Sequence, residues 1–340
     1  MFRLDQKLAR IHAGQYKRSD FIIADAKDPD MGPSIAACGP KRQKDGSAAR
    51  NYTRPEFLKN IRAVVEQDIV DVMLLSASNL EALTEMGVFR GSPVKPAIRA
   101  NDTTDIWVMR GADYAKQPSR AFRTASIPRV MHGGLSPSLG TPVTGTDLGL
   151  YSITFNNDLD SDYTALEAFS EFRDDAACNG FKYFLEVFNP NIDCRMDPAV
   201  IPHYVNDCLT RCLAGVTKAD RPQFLKIAYN GPKALEELAS YDPSMVVGVL
   251  GGGAGTTRDC FELLAQAEKY GARVALFGRK INLAEDPLAM VFHMRQVADG
   301  ALQPLEAVKA YHAALQKDGI TPARALAADC EITEKVLKAH

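Results

Sequence analysis

The chain has 340 residues, with 40 Lys and Arg against 42 Asp and Glu, a formal net charge of −2. That balance excludes a nucleic-acid platform, which carries a strong basic excess, and no run approaches the roughly 18 apolar residues of a membrane-spanning helix. Seven unevenly spaced cysteines suit a reducing, cytoplasmic compartment better than a disulfide scaffold, and the basic N-terminus lacks the apolar core of a secretory signal.

Short apolar runs alternate with longer amphipathic segments. Phe21-Ile22-Ile23-Ala24-Asp25 is the first expected strand, ended by Pro29 and Gly32. Thr53 and Glu56 form a capping box opening a helix whose stripe is Phe57, Ile61, Val64 and Val65. Strands follow at 70–75 and 95–100, with a short helix around 80–86 between them. Over 101–147 the pattern is irregular, with short strands expected at 106–109 and 121–127 and a Gly-, Ser-, Pro- and Thr-rich loop at 133–145. A loop of this length is usually functional; a linker between domains is the other reading. Regularity returns with strands at 148–156, 182–188, 224–229, 245–250 and 273–277. Helices are expected between them at 163–177, 205–213 and 232–240, and around Cys260, Leu263, Leu264 and Ala267, which share one helix face.

Eight strands with helical crossovers predict a parallel sheet covered on both faces. The expected fold is a (β/α)8 TIM barrel, a single domain over 1–340 with an insertion between strands three and four. An open doubly wound sheet satisfies the same alternation.

The informative charges are those inside apolar strands. Lys226 sits in Phe-Leu-Lys-Ile-Ala-Tyr, where an ammonium is costly unless paired or deprotonated. A desolvated lysine can attack a carbonyl; the alternative is a structural pair with an interior carboxylate. Glu186, one strand earlier, could move protons for Lys226 or simply neutralise it. Asp25 ends the first strand as a third interior carboxylate, whereas Asp28 reads as a turn residue.

Gly251, Gly252 and Gly253 end the seventh strand ahead of a helix, so backbone N–H groups and the helix dipole can meet an anion there. The run matches neither the P-loop nor the dinucleotide fingerprint. The eighth strand ends in Phe277-Gly278-Arg279-Lys280, and barrels often hold phosphate between the loops after strands seven and eight. Arg279 can fork onto phosphate oxygens. Arg99 and Asn101 after the third strand, with Asn156 and Asn157 after the fourth, could bond substrate hydroxyls. Cys208 and Cys212 read as packing residues, His132 and the 41–44 run as surface loop. No metal-ligand spacing is present, so neither metal nor cofactor is expected.

Phe184-Leu185-Glu186, Phe224-Leu225-Lys226-Ile227, Leu250-Gly251-Gly252-Gly253 and Phe277-Gly278-Arg279 together resemble the class I aldolase barrels, over about 148–298. Tagatose-bisphosphate and sulfofructose-phosphate aldolases are nearest in pattern, and archaeal-type fructose-bisphosphate aldolase is more distant. The resemblance implies a lyase that cleaves or forms a carbon–carbon bond in a phosphorylated ketose or related sugar acid. It assigns the Schiff base to Lys226, proton transfer to Glu186, and phosphate to Gly251–Gly253, Gly278 and Arg279. The first-strand aspartate of the family corresponds to Asp25, in different flanking residues, and the fourth-strand lysine of the tagatose branch is absent. A sugar-phosphate isomerase, or a non-catalytic barrel with a structural Lys–Glu pair, is the competing reading. A small-molecule substrate, no nucleic-acid or membrane partner, and a homo-oligomer by base rate complete the expectations.

Overall fold

The computed structural model describes residues 1–107, 109–135, 140–251 and 255–338. Eight parallel strands close into a barrel: β1 (Ile22–Lys27), β2 (Val72–Leu75), β3 (Lys95–Arg99), β4 (Leu148–Thr154), β5 (Lys182–Phe188), β6 (Leu225–Ile227), β7 (Gly248–Leu250) and β8 (Val274–Phe277). Closure is made by β1, which pairs with β8 from Ile22↔Val274 and with β2 from Ala24↔Val72. The expected (β/α)8 barrel is therefore observed.

Each strand is buried on both faces, and alternation divides its side chains between two cores. Ile22, Ala24, Val72, Leu74, Ala97, Leu148, Leu150, Phe184, Phe224, Val246, Val274 and Leu276 fill the lumen. Phe21, Ile23, Met73, Leu75, Tyr151, Ile153, Leu185 and Val187 pack outward against the helices. Helix α1 (Arg3–His12), which the basic composition concealed, lays Leu4 and Leu8 on the luminal core. Among the helices outside the barrel, α2 (Arg54–Gln67) starts as its capping box predicts, Glu56 accepting from the Thr53 N–H at 2.9 Å. It buries the expected Phe57, Ile61, Val64 and Val65. After β7, α3 (Thr257–Lys269) buries Cys260, Leu263, Leu264 and Ala267, again as expected.

The segment between β3 and β4 differs from expectation. Residues 106, 107 and 109 are turn and coil, and Ala121–Phe122 pairs antiparallel with Asp102–Thr103. Ile127–His132 is a short helix rather than the end of a strand. Pairs of two-residue strands have too little hydrophobic pattern to be read locally. Tertiary contacts hold them, including the stack of Trp107 on Phe122 with centroids 4.8 Å apart. No helix among the described residues is long and apolar enough to cross a membrane.

Candidate active site

Register places three polar side chains at one level of the lumen. Ser152 on β4 pairs with Glu186 on β5, and Glu186 with Lys226 on β6. All three point inward because they follow the luminal Leu150, Phe184 and Phe224 by two residues. Adjacent strands lie about 4.8 Å apart, so Lys226 Nζ meets Glu186 Oε1 directly in an ion pair. The other carboxylate oxygen accepts from Ser152 Oγ at 2.7 Å and from Arg99 Nη2 at 3.4 Å. Arg99 also donates from Nη1 to Ser152 Oγ at 2.9 Å and from Nε to Asp28 Oδ2 at 2.5 Å. All five residues are buried.

The network alternates in charge, from Lys226 through Glu186 and Arg99 to Asp28, and each buried ion is neutralised by a neighbour. Burial disfavours the Arg99 cation, but Asp28 and Glu186 outweigh it and raise the Arg99 pKa above its ordinary value. Asn101, expected to bond substrate, instead bonds the strand. Its Oδ1 accepts from the Ser152 N–H at 2.7 Å and its Nδ2 donates to the Ser152 carbonyl at 2.9 Å. Asn156 and Asn157 are likewise spent on Asn191 and on the Cys194 carbonyl.

Above this network a cleft of about 520 Å³ opens at the C-terminal ends of the strands, where barrel active sites lie. Lys226, Glu186, Arg99 and Asp28 line it, with Gly251, Gly278 and Arg279 from the β7 and β8 ends. A Cβ on Gly251 would stand 2.4 Å from Phe277 Cδ1, so the close approach of β7 to β8 requires glycine there. Arg279 is exposed and begins the short helix Arg279–Asn282. Gly252 and Gly253 lie outside the described residues.

One expectation is corrected. Asp25 is not in the cleft: β1 turns Ile22 and Ala24 into the lumen, so Asp25 faces out with Ile23. There it is fully buried, 3.4 Å from Lys27 Nζ, and burial pushes its carboxyl up to about 6. The same parity brings Asp28, which reads as a turn residue in the sequence, to the luminal side, where it lines the cleft. At the N-terminus of α3 two N–H groups bond protein carboxylates. Asp259 accepts from the Thr256 N–H at 2.8 Å and Asp329 from the Thr257 N–H at 2.8 Å.

Ser152 escapes a sequence reading because serine in a strand carries no charge signal, and Asp105, which also lines the cleft, because it lies in the irregular segment. Cys208 and Cys212 pack against the outer core as expected. His132 ends its short helix with Nδ1 3.1 Å from the Pro142 carbonyl, and Lys41 pairs with Glu56 at 2.7 Å.

No protein-family model matches the chain, and no curated protein matches it. Among solved structures it is similar to a Schiff-base-forming fructose-1,6-bisphosphate aldolase, at 15% identity and a TM-score of 0.60, over 87% of this chain and 99% of that one. It is similar to an archaeal fructose-1,6-bisphosphate aldolase whose catalytic Lys is covalently bound to the carbinolamine intermediate of its substrate. There the identity is 16% and the TM-score 0.59, over 87% of this chain and 100% of that one. A Corynebacterium glutamicum protein aligns at 16% identity and a TM-score of 0.58, over 88% and 94%. At these identities the likeness is one of fold, and it matches the closed barrel already described.

Proposed function

We propose that this chain is a class I aldolase that cleaves or forms a carbon–carbon bond in a phosphorylated ketose through a Schiff base on Lys226. The observation that carries the reading is a lysine inside the lumen, ion-paired to an in-register carboxylate, at the floor of an open cleft. The aldolase structures of the same fold support it.

In this reading Glu186 takes a proton from Lys226, and the free amine attacks the substrate ketone carbon to give a carbinolamine. Glu186 returns the proton as the carbinolamine hydroxyl departs as water, leaving an iminium. The bond between the third and fourth carbons breaks and its electron pair moves to the iminium, forming an enamine. The proton of the fourth-carbon hydroxyl passes to Asp28, in place of Asp25, as that carbon becomes the aldehyde. Protonation of the enamine and addition of water release the ketone and restore Lys226. Iminium nitrogen is the electron sink, so the scheme assigns no step to a metal. Gly251, Gly278 and Arg279 hold the phosphate.

Incubation with dihydroxyacetone phosphate and borohydride should fix a stable mass on the peptide containing Lys226. A folded protein that gives no adduct overturns the Schiff base. The completeness of the Lys226–Glu186–Arg99–Asp28 network favours one competing reading, a sugar-phosphate isomerase or binding barrel in which the pair is structural. Unaltered turnover and ligand affinity in Lys226→Met would select it.

A further inference from the structure

The two ends of the cleft differ in charge. In a closed eight-stranded barrel β8 and β4 stand opposite each other, with β6 and its lysine midway. At the β8 end the wall is Gly278 and Arg279; at the β4 end it is Asp105 and Ile106 of the inserted segment, beside Phe188. Asp105 is fixed there by two hydroxyls. Thr154 Oγ1 of β4 donates to its Oδ2 at 2.9 Å, and Ser119 Oγ donates to its Oδ1 at 2.8 Å. The pairing of Asp102–Thr103 with Ala121–Phe122 holds the loop between them in place. Among the described lining residues the cations are Arg99, Lys226 and Arg279. The first two face Glu186 and Asp28, and the third belongs to the β8 end.

We infer that the cleft takes a ketose with a single phosphate, and that Asp105 sets this specificity by refusing a second anionic group on the aldehyde half. The inference rests on the aldolase reading and gives it a substrate class. A substrate anchored by phosphate at β8 and attacked by Lys226 at mid-cleft extends its far half toward β4. A hydroxyl there can donate to the Asp105 carboxylate. A phosphate would meet a fixed like charge beside the half-buried Ile106 and Phe188, and such repulsion is an effective means of discrimination.

The test pairs dihydroxyacetone phosphate as donor with glyceraldehyde or glyceraldehyde 3-phosphate as acceptor, and measures the rate of aldol formation. Glyceraldehyde should be favoured in kcat/KM by about tenfold or more, the size expected of one like-charge contact. Asp105→Asn should narrow that ratio. Equal or better use of glyceraldehyde 3-phosphate overturns the inference, as does an unchanged ratio in a variant that still forms the borohydride-trapped adduct. Binding of fructose 1-phosphate and fructose 1,6-bisphosphate to Lys226→Met, read by calorimetry, measures the same discrimination without chemistry. Equal or tighter binding of the bisphosphate there overturns the charge argument. Failure of the aldolase reading is seen separately, as absence of any adduct with dihydroxyacetone phosphate alone.

Discussion

Both ends of the barrel bury a carboxylate among cations, with opposite outcomes. At the N-terminal end Asp71 Oδ2 accepts from Lys7 Nζ at 2.9 Å, from Arg295 Nη2 at 2.9 Å and from the Ile23 N–H at 2.8 Å. Helix α1 covers that end, and Lys7 spends a further proton on the Phe21 carbonyl at 3.0 Å. At the C-terminal end Glu186 holds Lys226, Ser152 and Arg99 in the same manner, but the space above them is a cleft. A buried lysine–carboxylate pair is therefore no mark of chemistry by itself. Access for a carbonyl compound separates the two pairs.

Substitutions at the two ends should separate them. Lys226→Met should abolish adduct formation and lower aldol turnover on the order of 10⁴-fold or more, with the fold kept because Arg99 still faces Glu186. Rate measurement and circular dichroism on one sample check both halves. Glu186→Gln should cost roughly 10²–10⁴-fold in turnover, read in the same rate measurement. Asp71→Ala should leave trapping at Lys226 intact per folded molecule while lowering stability by about 3–5 kcal/mol, because it strands Lys7 and Arg295; urea unfolding reads this.

The smallest effect concerns pH. Burial lowers the Lys7 pKa to about 8 from 10.5, against the pull of Asp71. Between these values the unfolded chain binds more protons, so this group's contribution to stability rises with pH and is lost as pH falls through 8. The difference in urea midpoint between the protein and Lys7→Met should change over that window and be flat below it.

The barrel was legible because proline and glycine interrupt its apolar runs, and 182–188 coincides with β5 residue for residue. Lys226 and Glu186 were legible as charges where a doubly buried strand should have none. The same double burial hid the facing of Asp25 and Asp28, since a strand apolar on both sides shows no alternation to count from. Helix α1 was hidden differently. Leu4, Leu8 and Ile11 keep a helical spacing, yet its mean hydropathy is polar and only the luminal core gives those residues a partner.

That partner has a consequence for biosynthesis. Leu4 and Leu8 belong to the same luminal cluster as Val274, supplied by the last strand. The cluster that α1 joins is therefore complete only after β8 has been made. At about 5–20 residues per second on the ribosome, the apolar stripe of α1 stays uncovered for many seconds, a target for chaperones that its own late docking removes.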